Sequence, residues 1–515
     1  MRLACVLRLV NGSFVSTVVT QNVLYSAPRN SMIQAVLKSP NYRWWAFAAV
    51  ALGLYTGVLD QSSLNIAIPS IASHFAIDIP SAQWILLAYM LVISLVLMPA
   101  GRLSDIFGRK RVYLTGLAIF AVGGILASIS PNLPSIIAFK ALQGVGNGMM
   151  TANNMAIMAA IFPSERRGQA MGLMNTTVGL GSITGPMLGG SLVTSFGWRS
   201  VFFFGVVLSV VGIVAVLAIV EESRIAVRRE GPRPTFDKMG AGLSSLALLL
   251  LLLALTNAQR MGWLSPIVLV GIPGFAVTIS FFIGWELKAR SPMLDLRLFT
   301  RKVFTLAVIA RAMAMLGSSS VYFLMPFYLQ GVLSYSASKA GLIIVSSSSG
   351  MALAALFSGR LSDRFGWKPF LTGGLALVTT GLLVMSRVSD STPIALIAVG
   401  LAFQGLGMGT FISPNLSAVL GAVEVEKHGV TTALVNLIRT ATNLIGVAMA
   451  TAIVSGVMVQ AGFEPRLDVS AGASAGVSSA FTAGMRWALI VMGGCVGLGC
   501  ITTLFMMQPK SGASG

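Results

Sequence analysis

The feature that most constrains this chain is a series of apolar runs of about twenty residues, the length an α-helix needs to cross a bilayer. Fourteen occur, near 44–69, 82–101, 111–130, 134–158, 168–193, 199–220, 239–258, 265–286, 303–329, 339–360, 368–387, 392–415, 429–459 and 486–507. In lipid every backbone N–H and C=O must be satisfied within the protein, so such runs read as helices. The short alternating strands of a membrane β-barrel are absent from the sequence. Only 10% of residues are charged, against about 25% in a soluble domain. A soluble globular fold and a disordered chain are thereby excluded, and an all-α integral membrane protein is expected.

The net charge of +19 would suggest nucleic acid on a soluble chain, but here its distribution gives a different answer. With the N-terminus placed inside, 26 of the 35 basic residues fall in inside segments, six fall outside, and Lys140, Arg311 and Arg439 lie within spans. That bias is the positive-inside pattern. It predicts both termini in the cytoplasm, a multi-pass protein of a bacterial cell membrane, and no nucleic-acid partner. The three cysteines form no CxxC pair, and His74 and His428 are far apart, so neither a metal site nor a disulfide framework is expected. Residues 1–40 lack a clean apolar core and read as a disordered N-terminal extension, with 1–31 either dispensable or an over-long gene start.

A long-range echo organises the rest. GRLSDIFGRKRVYLTG from Gly101 returns as GRLSDRFGWKPFLTGG from Gly359, and LQGVGNGM around Gln143 returns as FQGLGMGT around Gln404. Glu165, Gly168, Asn175 and Gly185 then match Glu426, Gly429, Asn436 and Gly446 in the same order. The reading is two pseudo-symmetric six-helix bundles, 41–223 and 303–508. Residues 224–302 supply cytoplasmic loops and two inserted linker helices. Two similar halves around a polar crevice suit alternating access.

Four motifs carry a family resemblance from about residue 41 to 508. They are LDQSSLNIAIP with Asp60 and Asn65; the cytoplasmic loop Gly101, Asp105, Gly108, Arg109, Lys110, Arg111; KALQGVGNG with Lys140 and Gln143; and GLGSITGPMLGG with Gly181, Gly185, Pro186, Gly189 and Gly190. The chain resembles the major facilitator superfamily, and its fourteen runs are similar to the multidrug drug:proton antiporter branch. Lys140 departs from that pattern, which usually has Arg there. The resemblance implies that the Gly101–Arg111 segment is a cytoplasmic latch against the other half, with Asp363 in a weaker second latch. It also implies that the last motif marks exporters and antiporters.

The residues have their own physical reading. Gly181, Gly185 and Gly189 recur on one helix face and allow close helix approach, while Pro186 favours a bend. Asp60 is the one acidic residue well inside a span, and an intramembrane carboxylate is costly enough to mark a functional site. Lys140 is expected at similar depth, pairing with Asp60 directly or through Gln143. Protons are therefore expected as coupling partners at Asp60 and Lys140. Arg311 lies near enough the cytoplasmic edge to snorkel there, whereas Arg439 needs a partner or a substrate. Asn65, Tyr89, Gln143, Asn147, Asn175, Arg311, Gln404, Asn436 and Arg439 are the expected cavity residues. They suit neutral, zwitterionic or monocationic amphiphiles.

No phosphate-binding GxxxxGK[ST] loop and no nucleophile–base set is present, so neither ATP drive nor an enzyme is expected, and no cofactor. The leading expectation is a monomeric exporter of small amphiphilic compounds such as drugs or toxic metabolites, in exchange for protons. The alternatives are an exporter dedicated to one natural product, lipid or amino acid, and a non-transporting membrane receptor of the same fold.

Overall fold

The computed structural model describes residues 39, 41–163, 166–225, 237–261, 264–289, 296–424, 428–467 and 474–506. The expectations about residues 1–31 lie outside them. Within the described residues are fourteen long helices, from 19 to 33 residues in length. They are α1 (Tyr42–His74), α2 (Ile79–Phe107), α3 (Arg109–Ser128), α4 (Leu133–Ile161), α5 (Arg167–Phe196), α6 (Arg199–Ile219), α7 (Lys238–Met261) and α8 (Pro266–Lys288). After a 3-10 turn at Leu296–Thr300 come α9 (Lys302–Phe327), α10 (Ala337–Phe365), α11 (Trp367–Met385), α12 (Ile394–Gly421), α13 (His428–Gln460) and α14 (Ala475–Leu504).

Among the described residues, ten helices are long and apolar enough to cross a membrane. The long helices outside that set are α1, α4, α5 and α7. Three of these bring polar side chains or glycines to the interior: α1 carries Asp60 and Asn65, α4 carries Lys140 and Gln143, and α5 carries the glycine stripe. Large apolar side chains such as Phe203, Val214, Phe281 and Leu356 are exposed on the outside of the helix array. A bilayer would cover such a surface.

The internal echo appears as a repeated pattern of helix pairing. In the first half α2 packs on α4, α3 on α4 and α6, and α1 on α5 and α6; the corresponding pairs α10–α12, α11–α12, α11–α14, α9–α13 and α9–α14 recur in the second. One crossing shows how closely the repeat is kept. A Cβ on Gly116 would lie 2.9 Å from the Gly146 carbonyl oxygen, and one on Gly374 would lie 2.8 Å from that of Gly407. Bare backbones meet at both crossings, which no larger residue would permit. Helices α7 and α8 pack on each other, and α7 also touches α2 and α13.

One expectation changes here. The segment from Gly101 is not a loop: α2 runs on to Phe107, and Gly108 alone separates it from α3. Gly108 has φ +97 and ψ 142, a conformation that only glycine adopts without strain, so one residue reverses the chain. Gly366, with φ +86, does the same between α10 and α11. Helix α5 runs unbroken through Pro186, from Arg167 to Phe196.

Candidate functional site

Asp60 lies midway along α1 and Lys140 in the first half of α4. The Lys140 ammonium donates to Asp60 Oδ2 at 2.7 Å, and both side chains are completely shielded from solvent. The contact is direct. Gln143 does not bridge the pair, because its Nε2 donates instead to the Phe120 carbonyl at 3.4 Å. Lys140 Nζ also sits 4.3 Å from the centroid of the Tyr89 ring and 5.5 Å from that of Phe202, so aromatic faces complete its cradle. Tyr89 is fixed by Asn147, whose Nδ2 donates to the Tyr89 hydroxyl at 2.7 Å. Asp60 Oδ1 has no hydrogen-bond partner. The carboxylate is thus held on one oxygen.

Directly beside this pair, α5 closes on α1. A Cβ on Gly185 would lie 2.5 Å from Ser62 Cβ, and one on Gly189 would lie 2.7 Å from Ser63 Cα. Ser63 Oγ donates to the Gly185 carbonyl at 2.8 Å. The opposite side of the same motif meets the other half of the molecule. A Cβ on Gly190 would lie 2.9 Å from the Ala337 carbonyl carbon, and one on Gly341 would lie 2.9 Å from that of Pro186. Helix α5 is therefore a wedge, with Gly181, Gly185 and Gly189 against α1 and Pro186 and Gly190 against α10.

At this end the halves are also tied by polar contacts that sequence reasoning missed. Gln330 Nε2 donates to the Ile66 carbonyl at 2.9 Å, Ser338 N to Thr194 Oγ1 at 3.0 Å, and Ile79 N to the Pro465 carbonyl at 2.9 Å. Gln330 sits in a π-helical turn, Tyr328–Val332, that follows Pro326. A proline four residues before a buried glutamine was the available signal. Its partner, a backbone carbonyl, leaves no trace in sequence. These ties make a seal at the end where α1 finishes and α2 begins.

The other expected cavity residues divide by exposure. Asn175 and Arg439 are exposed, whereas Asn65, Asn147 and Asn436 are half-buried. Tyr89, Gln143 and Gln404 are instead packed inside helix contacts. For Gln143 the reason is the gap left by Gly123 and Gly124, which its side chain fills. Gln404, its counterpart, accepts from Ser347 Oγ at 2.6 Å through Oε1. Arg311 does not snorkel: it is 6% exposed, and its Nη1 donates to Asn415 Oδ1 at 3.2 Å. The amide on α12 gives it a closer polar partner than the helix end could.

Two of the expected latch residues make contacts within the first half. Arg109 Nη1 donates to the Ala156 carbonyl at 2.6 Å and Lys110 Nζ to the Leu217 carbonyl at 3.2 Å. In the second half Lys368 Nζ reaches the Leu504 carbonyl at 2.8 Å. Glu222, which the sequence did not single out, accepts from Lys110 N at 3.1 Å and so sits at the N-terminus of α3, where a helix dipole favours an anion. Gly101 has open space around it, and Asp363 is exposed. The side chain of Asp105 lies outside the description.

The model of the Major Facilitator Superfamily matches residues 44–285 and 307–514. This chain belongs to the major facilitator superfamily. It is a multi-pass membrane transporter rather than an enzyme. The chain is 32% identical to the riboflavin transporter RibZ of Clostridioides difficile, over 79% of this chain and 87% of that relative. It is 29% identical to the multidrug resistance protein Stp of Mycobacterium tuberculosis, over 82% and 77%, and 28% identical to a probable actinorhodin transporter of Streptomyces coelicolor, over 80% and 72%. Among solved structures, a bacterial homolog of the human lysosomal transporter Spinster, inward-facing and unoccupied, superposes with a TM-score of 0.65 at 15% identity, covering 90% of this chain and 97% of that one. A peptide transporter POT in complex with sulfate gives 0.65 at 16% identity, over 92% and 98%. At those identities the likeness is one of fold.

Proposed function

We propose that this major facilitator superfamily member is a proton-coupled exporter of small amphiphilic compounds, working by alternating access between halves 41–223 and 303–508. In this reading all fourteen long helices span the bilayer, α7 and α8 are the inserted linker, both termini are cytoplasmic, and the sealed end faces outward. The observation that carries it is the buried Asp60–Lys140 pair with Asp60 Oδ1 unpartnered.

The pair supports a simple cycle. Protonating Asp60 removes its attraction for Lys140, and the ammonium is left to the faces of Tyr89 and Phe202. Deprotonation restores the pair. Asp60 is two and three residues from Ser62 and Ser63, the residues that Gly185 and Gly189 touch. A change in α1 that follows protonation therefore reaches the contact of α5 with α1, and through Gly190 the contact of α5 with α10. Binding of a proton and opening of the outer seal share one helix. Arg109, Lys110 and Asp363 are assigned to the cytoplasmic latch, which engages the opposite half when the outer seal opens.

The test is efflux of a panel of dyes and antibiotics from inverted vesicles under an imposed pH gradient. Uphill movement that collapses with the gradient is expected; movement indifferent to it would sink the coupling. A second reading, export of a single product, is favoured by the similarity to a riboflavin transporter. In the same panel it predicts that one compound alone is moved.

A further inference from the structure

We infer that the groove between the ends of α3, α5 and α6 holds an anionic phospholipid, with its phosphate on Arg199 and an acyl chain along Phe203 and Val207. The inference rests on the chain being a multi-pass membrane protein, and on neither export nor proton coupling.

The groove is a cavity of about 480 Å³ at one end of the first half. Ser128 closes α3, Phe196 closes α5, and Arg199 and Ser200 open α6, so its walls meet where three helices end. Ser200 Oγ donates to the Leu192 carbonyl at 3.1 Å, which ties α6 to α5 beside it. Phe203 and Val207 follow Arg199 by four and eight residues on α6. At 1.5 Å per residue they lie about 6 and 12 Å deeper. The lining is polar at the helix ends and apolar further in, the order of a lipid's head group and chain.

Arg199 is the charged side chain of this lining, and it makes no ion pair among the described residues. Its guanidinium lies 4.2 Å from the centroid of the Trp198 ring. Trp198 is itself buried, with the rings of His74, Phe75 and Phe202 at 5.5, 5.7 and 6.0 Å. That aromatic platform holds the guanidinium in place. Its polar contacts are long: Nη2 donates to the Ser130 carbonyl at 3.4 Å, and Nη1 lies 3.5 Å from His74 Nε2. Neither supplies a negative charge. A guanidinium carries more N–H donors than these two contacts use, in a fork that matches two oxygens of a phosphate.

The surroundings of the groove select a lipid over a solute. Phe196, Phe203 and Val207 are 77%, 60% and 44% exposed, on the surface that a bilayer covers. A membrane brings phosphate to the level of the helix ends and hydrocarbon to the level of Phe203 and Val207. A free anion would use Arg199 alone, and an uncharged amphiphile would leave Arg199 without a countercharge. One anionic phospholipid satisfies both ends of the groove. Basic pockets between membrane helices bind acidic lipid head groups on the same principle.

Val211 is exposed and one turn beyond Val207, so a bimane fluorophore on Val211→Cys reports on the groove. The full chain, with Cys5, Cys495 and Cys500 changed to Ser, is placed in phosphatidylcholine nanodiscs. These contain a small fraction of nitroxide-labelled phosphatidylglycerol or nitroxide-labelled phosphatidylcholine. Quenching at Val211→Cys should show about fivefold stronger association of the phosphatidylglycerol. A bimane on Leu353→Cys, exposed on α10 of the other half, should show no preference. Arg199→Gln should equalise the two lipids, and Arg199→Lys should keep part of the preference. Ser128→Asp sets a like charge against the phosphate and should also equalise them, which tests the site even if Arg199→Gln fails to fold. Equal quenching by the two lipids at Val211→Cys, the same preference at Leu353→Cys, or an undiminished preference in Arg199→Gln would overturn the inference. So would loss of the preference on adding inorganic phosphate, since that outcome marks a site for a free anion.

Discussion

Lys140 and Asp60 are joined through one carboxylate oxygen, Oδ2, at 2.7 Å, while the second oxygen of the same group has no hydrogen-bond partner. A wholly buried pair of this kind adds little net stability over an apolar pair, yet removing one member strands the other. The cost of stranding is about 3–5 kcal/mol. Asp60→Asn and Lys140→Gln should therefore each lower the thermal unfolding midpoint in detergent, and the double variant should recover most of the loss. Additive losses in the double variant would mean that the pair does not act as a unit.

Coupling is a separate readout. Asp60→Asn cannot release or regain a proton, so substrate-induced proton release from purified protein should vanish, and uphill efflux with it. Downhill exchange can survive. If that variant still pumps uphill, the coupling carboxylate lies elsewhere.

The two sides of α5 predict different failures. Gly185→Leu presses on Ser62 within the first half and should abolish transport while the outer seal stays closed. Gly190→Leu presses on Ala337 across the interface and should part the halves. A cysteine at buried Gln330 reports on this. An impermeant maleimide should label it in the Gly190→Leu background and not in Gly185→Leu. Equal labelling in both would remove the distinction between the faces.

The turn at Gly108 predicts a local cost. Gly108→Ala forces a Cβ into a backbone region reserved for glycine and to 2.5 Å from Glu222 Oε1. The expected loss is about 1–3 kcal/mol. Glu222→Ala removes the acceptor of Lys110 N and should cost about 1 kcal/mol. Thermal unfolding of both variants checks this; an unchanged midpoint in Glu222→Ala would dismiss its capping role.

Topology is tested independently. Arg229→Cys should be labelled from the cytoplasmic side and not from outside intact cells. Labelling from outside would reverse the proposed orientation.

What the sequence made legible follows from what membranes penalise. The helices were visible as apolar runs because lipid tolerates little else, and the contact of Asp60 with Lys140 followed from scarcity, since few charges lie at that depth. The helical course of Gly101–Phe107 was hidden because polar residues at a helix end resemble a loop. Arg311 was misplaced because its partner, Asn415, is 104 residues away and looks like any other buried amide. The ties made by Gln330 and Ile79 run to backbone carbonyls, which every residue possesses, so no pattern could announce them.

A joint one residue long has no backlash. Gly108 alone joins α2 to α3, and Lys110 and Arg109 strap that corner to α6 and α4, so a tilt of α2 is expected to carry its neighbours. Helix α2 also rests on α13 of the opposite half. Gly366 and Lys368 build the same stiff corner on the other side. In the proposed alternating-access cycle, displacement of α2 is expected to pass to its neighbours through these two short corners and not through a long loop.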